Sequence, residues 1–125
     1  LEAMAKARVA PQHWARAFAD RGIMGAYLYT RQCVRGQSAF HARMFAPDLG
    51  VPEDPATGSA AASFAYVVQE FDALPDGVHK RAIEQGYEMG RPSAIALTMS
   101  VTRGKLDGVR IGGYAVRVAE GVLKF

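Results

Sequence analysis

The sequence predicts an α+β fold in which a mostly antiparallel, curved sheet wraps around one central apolar helix. Residues 58–71 carry no charge before Glu70 and combine large apolar side chains with many alanines, which is typical of a buried helix. Several other segments alternate apolar and polar residues with a period of two, as half-buried strands do. In a domain of this size only a sheet could surround such a helix, and these patterns therefore favour the α+β class.

Composition excludes several classes of protein. Half of the 125 residues are hydrophobic and 22% are charged, which is typical of one globular domain and not of a disordered chain. The net charge is +3, but the Lys and Arg residues are scattered, so we expect no nucleic-acid partner. No run reaches the ~18 apolar residues of a membrane span and no signal peptide is recognisable, so we expect no membrane partner. The lone Cys33 cannot form an internal disulfide, which favours a cytoplasmic location.

The chain begins with a helical segment. Residues 10–21 place Trp14, Ala17 and Phe18 on one helix face, and Gly22 is a plausible stop. Because the first residue is Leu and not Met, we expect the chain to be part of a longer protein.

Two strands are predicted next. Residues 23–30 are rich in aromatic and aliphatic side chains, and residues 38–46 alternate, with a turn at 35–37 between them. We therefore expect an antiparallel pair. In the second strand Phe40, Ala42 and Met44 point one way, and His41 and Arg43 point the other way.

The central helix follows a proline-rich stretch. Pro47, Pro52 and Pro55 argue against regular structure before Thr57. The helix is predicted over residues 58–71 and should be buried on all sides. Its large apolar stripe consists of Phe64, Val67, Val68 and Phe71.

Further strands are predicted in the last third of the chain. Residues 93–101 alternate cleanly, with Ile95, Leu97, Met99 and Val101 on one face. Residues 103–105 form a turn, and strands follow at 106–111 and 114–125 with a turn at Gly112-Gly113. Residues 75–92 suggest a strand broken by Gly86 and Gly90.

The start of the central helix is the candidate binding site. The first turn of a helix has amides without intrahelical partners and the positive end of the helix dipole. Gly58, Ser59 and Ala60 would present these amides to a carboxylate or a phosphate, with the Ser59 hydroxyl as a further donor. Asp54 would lie beside them as an acceptor for an amine or a hydroxyl.

A purely structural explanation stays open at this point. Thr57 or Ser59 would then only cap the helix, which stabilises it by about 0.5–2 kcal/mol, and Asp54 would only favour the helix dipole. The expected burial of the helix favours a ligand instead, since something must meet the buried amides. The three histidines, His13, His41 and His79, have no metal-like spacing, so we expect surface or strand residues and no metal.

Two longer strings carry a family resemblance. "MFAPDLGVPEDPATGSAAASFAYVV" and "QGYEMGRPS", followed by "VRIGGYAVRVAEGVLKF", resemble the second half of the phenazine-biosynthesis PhzF-like family from about residue 20 onward. The resemblance implies the diaminopimelate-epimerase-like fold, which has two similar halves, each a sheet around a central helix, and binds its ligand in the cleft between them. It also implies a proton-shifting isomerase that needs no cofactor or metal and acts on a small carboxylate. The best-known member moves a double bond in a dihydro-hydroxyanthranilate.

The resemblance also implies roles for individual residues. Asp54 matches the family's active-site aspartate, which would hold a polar substituent or assist proton movement, and Ser59 matches its active-site serine. The substrate carboxylate would be bound at Thr57, Gly58, Ser59 and Ala60.

The family's principal acid–base glutamate belongs to the first half of the fold, and no residue here can be assigned its role. We therefore expect residues 1–22 to be a helical segment left from the region between the halves and residues 23–125 to be the second-half domain. The missing N-terminal half would be a partner. We expect the isolated chain to be inactive and to pair with itself through its exposed cleft face as a homodimer.

Two alternatives remain. One is an epimerase or racemase of the same fold, which would use a cysteine in each half. Ser59 stands in that region and Cys33 lies elsewhere, which argues for isomerisation with one base. The other is a non-catalytic module for carboxylate binding or assembly.

Overall fold

Residues 1–124 are described by the structure, a computed structural model, and they form a mixed sheet with helices at its two faces. The strands are β1 (Ala26–Thr30), β2 (Phe40–Ala46), β3 (Val51–Asp54), β4 (Gly77–Gln85), β5 (Ser93–Thr102) and β6 (Lys105–Gly113). The α-helices are α1 (Glu2–Lys6), α2 (Pro11–Ala17) and α3 (Gly58–Asp72). Short 3-10 helices cover Ala19–Arg21 and Pro47–Leu49.

The strands form one unclosed sheet in the order β1-β2-β4-β5-β6, and β3 pairs with the end of β2. Every pairing is antiparallel except that of β2 with β4, which is parallel. The parallel pair arises because the chain leaves β2, crosses over through β3 and α3, and returns in the same direction. The predicted α+β class with a mostly antiparallel, curved sheet is therefore confirmed.

The core lies between α3 and one face of the sheet. Phe64 of α3 is its centre, with ring centroids 4.5 Å from Tyr29, 4.9 Å from Phe40 and 5.6 Å from Tyr27. The predicted inward face of β5 is buried as expected. The buried residues of this core are Phe40, Ala42, Ala61, Phe64, Ala65, Val68, Leu74, Ile83, Ile95, Leu97, Met99 and Val101.

The expectation that α3 is buried on all sides is wrong. Tyr66 is 67% exposed and Phe71 is 75% exposed, although Phe71 belongs to the predicted apolar stripe. The sheet is unclosed and covers only the side of α3 that carries Ala61, Phe64 and Val68.

The opposite face of the sheet is covered by the N-terminal segment. Met4 and Trp14 are buried, and the Trp14 indole Nε1 donates a hydrogen bond of 2.7 Å to Asp48 Oδ2. The helix predicted over residues 10–21 is confirmed in its first part, continues as a 3-10 turn, and ends at Gly22 with φ 69°. The division of the chain after residue 22 stays a prediction.

Two corrections concern the stretches before and after α3. Regular structure does occur before Thr57, because β3 pairs along the end of β2, where Pro52 on an outer strand needs no ladder donor. Residues 77–85 form one continuous strand, and Gly86 ends it instead of interrupting it.

A third correction concerns the C-terminal end. Gly112 and Gly113 pair with Ala96 and Ile95, and neither has a positive φ, so they extend β6 and do not form a turn. Residues 114–124 have no regular structure and are exposed, so the predicted strand over 114–125 is wrong for its described part. Residue 125 lies outside the described residues. A strand pattern without a neighbouring strand is not sufficient to form a strand.

Candidate functional site

The junction of β3 and α3 brings the predicted site residues together. Asp54 is the last residue of β3 and pairs with Met44, which fixes its position against the sheet. The chain then turns through Pro55 and enters α3 at Gly58, with Thr57 at the N-cap position. The structure therefore places Asp54, Thr57 and the first turn of α3 side by side, as predicted.

The start of α3 has no side-chain cap. The Thr57 hydroxyl instead donates a hydrogen bond of 2.6 Å to Asp54 Oδ2, and no acidic residue lies in the first helical turn. The first amide with a helical partner is that of Ala61, which donates to the Thr57 carbonyl at 3.0 Å. The explanation of Thr57 or Ser59 as a side-chain cap is therefore wrong, and the amides before Ala61 have no such partner.

The expectation that buried amides at the helix start require a ligand is wrong, because solvent reaches the first turn of α3. The same exposure allows a ligand to approach from outside. Ser59 is exposed, and Gly58 and Ala60 are half-buried. Gly58 borders a groove of about 420 Å³ with Arg35, Ser93 and Ile111 on its walls. A small carboxylate fits a groove of this size and would meet a cationic side chain together with the positive end of the helix dipole.

The end of β4 contacts the junction of β3 and α3 and holds it in place. Gln85 is fully buried, and its Nε2 donates to the Asp54 carbonyl at 2.7 Å and to Thr57 Oγ1 at 3.0 Å. The next residue, Gly86, has φ +81° and lies against Pro55, where a side chain would not fit. Sequence reasoning missed Gln85. A strand over 75–85 would have placed it on the same face as Ile83, where a buried amide needs partners.

A buried charged cluster lies on the other face of the sheet. His41 is 1% exposed, with Nδ1 2.8 Å from Glu84 Oε1 and Nε2 2.9 Å from Glu88 Oε1. Arg43 donates from Nε and Nη2 to the two oxygens of Glu53, at 2.8 and 2.9 Å. His41 lies on a strand, which is one of the two predicted positions, but it is buried, with its ring centroid 5.5 Å from that of Tyr87.

Glu84 connects this cluster to the loop that carries Arg35. Its carboxylate accepts hydrogen bonds from the amides of Val34 at 2.5 Å and Arg35 at 3.0 Å. Burial by itself would raise the pKa of Glu84, but the hydrogen bonds from Val34, His41 and Arg35 outweigh it and hold that pKa below its usual value. Glu84 is therefore ionised and anchors one wall of the groove.

Other candidate groups do not join the site. Cys33 lies half-buried in the loop between β1 and β2, and burial, with a smaller effect of Glu84, raises the pKa of its thiol. A raised pKa is the opposite of what an activated thiol needs. Among residues 1–124 no group of three or more His, Cys, Asp or Glu side chains has the arrangement of a metal site. Within the same residues, no helix is both long enough and apolar enough to cross a membrane.

Comparison with known proteins shows the family of the chain. The model of the PhzC-PhzF family, described as phenazine biosynthesis-like protein, matches residues 2–121. The chain belongs to this family. The resemblance predicted from the Asp-Pro-Ala-Thr-Gly-Ser string is confirmed.

Individual relatives of PhzF type give the same result. An uncharacterized isomerase of Mesorhizobium japonicum is 48% identical over 98% of this chain and 42% of the relative. The trans-2,3-dihydro-3-hydroxyanthranilate isomerase of Pseudomonas aeruginosa is 37% identical over 66% of this chain and 29% of that enzyme. The crystal structure of a Bacillus anthracis PhzF-family protein matches 71% of this chain and 31% of that protein with a TM-score of 0.65 at 20% identity. The chain thus belongs to an isomerase family and spans less than half the length of these relatives.

Proposed function

We propose that this chain forms the carboxylate-binding part of an isomerase that shifts a proton within a small carboxylate substrate. The observation that carries this proposal is the start of α3, where backbone amides without a side-chain cap lie beside Asp54. Amides at a helix start bind a carboxylate because they are donors and carry the positive end of the dipole. The substrate carboxylate binds Gly58, Ser59 and Ala60, and Thr57 helps to hold the turn.

Asp54 and Ser59 have different roles in this proposal. The Ser59 hydroxyl is exposed and adds a donor for the carboxylate. Asp54 already accepts one hydrogen bond at Oδ2, from the Thr57 hydroxyl. Its Oδ1 either accepts a hydrogen bond from the amine or hydroxyl of the substrate or assists proton movement. Family membership and the likeness to the P. aeruginosa enzyme support this assignment.

Further parts of the proposal concern the conditions of the reaction and the other half of the enzyme. The reaction needs no cofactor or metal, takes place in the cytoplasm, and uses an acid–base group from an N-terminal half that pairs with this chain. The M. japonicum relative is more than twice as long as the matched region, which leaves room for such a half. Without that half we expect no efficient turnover.

Self-association is a separate part of the proposal. The cleft face at the start of α3, which the other half of the fold would cover, pairs with a second copy of this chain. Sedimentation velocity over a hundredfold range of concentration would show a dimer, and a clean monomer at every concentration would contradict it.

The binding proposal is tested by following backbone amide chemical shifts while the chain is titrated with aromatic and aliphatic carboxylates. We expect saturable shifts centred on Gly58, Ser59 and Ala60, which Ser59→Ala weakens and Asp54→Ala alters. Ser63→Ala, which removes an exposed hydroxyl one turn further along α3, is the matched control and should leave the affinity unchanged.

The outcome distinguishes a binding site that this chain forms alone from one that needs the N-terminal half. Localised shifts that only Ser59→Ala and Asp54→Ala change support the anion site and rank the substrates. If no localised shift occurs, the titration is repeated with a glutamate-bearing first half of a family member added. Absence of both binding and turnover in that mixture would overturn the proposed function.

A further inference from the structure

Gln85 is a buried polar side chain to which the proposed reaction gives no role. It is the last residue of β4, is 0% exposed, and lies on the same face of the strand as Ile83 in the core. Burying an amide is unfavourable unless its donors and acceptor are hydrogen-bonded. All the partners of Gln85 belong to the segment that carries Asp54 and Thr57.

The orientation of the Gln85 amide is determined by these backbone partners. The Asp54 carbonyl oxygen can only accept, so the Gln85 atom 2.7 Å from it must be the nitrogen, Nε2. The Thr57 amide can only donate, so the atom 3.4 Å from it must be the oxygen, Oε1. Nε2 therefore points its second hydrogen at Thr57 Oγ1, 3.0 Å away.

This orientation decides where the Thr57 hydroxyl proton goes. A hydroxyl has one proton, and Thr57 Oγ1 already accepts from Gln85. Its own proton is therefore directed to Asp54 Oδ2, at 2.6 Å, which is within the range of O–H···O hydrogen bonds. Among residues 1–124 no other side chain or amide donates to the half-buried Asp54 carboxylate, so Oδ1 can accept from water or from a ligand.

We propose that Gln85 is a positioning residue that acts through Thr57 on Asp54 and so sustains the preference, already part of the proposed function, for carboxylates that carry a neighbouring amine or hydroxyl. This relay, from Gln85 Nε2 through Thr57 Oγ1 to Asp54 Oδ2, fixes Oδ2 as an acceptor and thereby fixes the orientation of the carboxylate. This inference rests on the proposed function for its ligand, but the relay itself can be measured without any ligand.

Three variants isolate the relay. Gln85→Glu has nearly the same shape but at most one donor hydrogen, so it cannot donate both to the Asp54 carbonyl and to Thr57 Oγ1. Thr57→Val removes the hydroxyl at nearly constant volume, and Thr57→Ser retains it. Gln69→Glu is the matched control, because it introduces the same charge at a half-buried glutamine near the other end of α3.

The first measurement is the chemical shift of the Asp54 carboxyl carbon at pH 7 without ligand. We expect Gln85→Glu and Thr57→Val to move it in the same direction, the double variant to move it no further, and Thr57→Ser and Gln69→Glu to leave it in place. Non-additivity is the sign that one residue acts through the other. An unmoved resonance in folded Gln85→Glu, with a moved one in Thr57→Val, would overturn the relay.

The second measurement compares the dissociation constants of 2-aminobenzoate and benzoate, which differ by one amine. General losses of folding or charge affect both ligands, so their ratio reports the contact with Asp54 alone. We expect the preference for 2-aminobenzoate to fall about tenfold in Gln85→Glu and Thr57→Val and to persist in Thr57→Ser. An unchanged ratio with intact benzoate binding would overturn the selectivity part of this inference only. If neither ligand binds, with or without an added first half, the proposed function fails, and the carboxyl resonance still decides the relay.

Discussion

A Cβ atom placed on Gly86 would lie 2.8 Å from the carbonyl oxygen of Pro55, closer than side-chain carbons approach a backbone oxygen. It would lie closer still to the carbonyl oxygen of Arg91, and Gly86 has φ +81°. The end of β4 and the turn before α3 are therefore in direct backbone contact, which only glycine permits.

Replacing Gly86 should damage both stability and the site. We expect Gly86→Ala to lower the free energy of unfolding by about 3 kcal/mol or more, since it combines left-handed strain with a clash against backbone. Gly90→Ala is the control, with φ +68° but nothing within 4 Å of its Cβ, and should cost about 1 kcal/mol. Urea unfolding of both variants measures the difference, and equal losses would contradict the contact.

The pH dependence of stability should contain a contribution from Glu84. Its pKa is lowered in the folded chain, so its stabilising effect is present above the pKa of the unfolded chain, near 4.3, and is lost as the pH falls through the folded value. We expect urea midpoints to be nearly constant above about pH 5 and to fall below about pH 4.

Glu84→Gln should lower stability at pH 7 by about 2 kcal/mol and flatten the acid-induced loss. Glu70→Gln, on the exposed side of α3, changes the same charge outside the cluster and serves as the control. If the two variants lose stability in parallel with the parent chain between pH 5 and pH 3, Glu84 has no such role.

The two phenylalanines of α3 should differ sharply in their contribution to stability. Phe64→Ala removes a buried ring that contacts Tyr27, Tyr29 and Phe40, and we expect a loss of about 3–5 kcal/mol. Phe71→Ala removes a ring that is 75% exposed, and its effect should stay within about 0.5 kcal/mol. Thermal unfolding of the pair tests this, and similar melting temperatures would show that the face of α3 is wrongly assigned.

Arg43 should hold the N-terminal segment against the sheet. It pairs with Glu53 through two hydrogen bonds and also donates from Nη1 to the Ala7 carbonyl at 3.1 Å. The hydrogen bond that Arg43 donates to Glu53 raises the pKa of Arg43, so the guanidinium stays charged. A lysine ammonium cannot make the two parallel hydrogen bonds of the guanidinium to Glu53. We therefore expect Arg43→Lys to lower the free energy of unfolding by about 2 kcal/mol and to speed tryptic cleavage after Lys6. Arg110→Lys, at an exposed position of β6, is the control. An equal cleavage rate in both variants would show that Arg43 does not hold the N-terminal segment.

Features that depend on neighbouring residues could be predicted from the sequence. The inward face of β5, with Ile95, Leu97 and Met99, follows from an alternation that the structure retains. The start of α3 at Gly58 follows from the turn residues that precede it, and so does its closeness to Asp54.

Features that depend on distant residues could not be predicted in this way. The partners of Gln85 lie 28 and 31 positions earlier, and those of His41 lie 43 and 47 positions later. The exposure of Phe71 depends on where the sheet stops, which no pattern within α3 contains. The strand predicted at the C-terminal end has the right alternation but no adjacent strand in the described chain.

The support of Asp54 and Thr57 by Gln85 has a consequence for the order of events during synthesis. The residues of the candidate site leave the ribosome before the strand that orients them, because Gln85 and Gly86 follow Thr57 by 28 and 29 positions. A nascent chain that ends before β4 would contain Asp54, Thr57 and the first turn of α3 without their hydrogen-bond relay. Competence to bind a ligand should therefore appear only after β4 has joined β2, late in translation and in a single step.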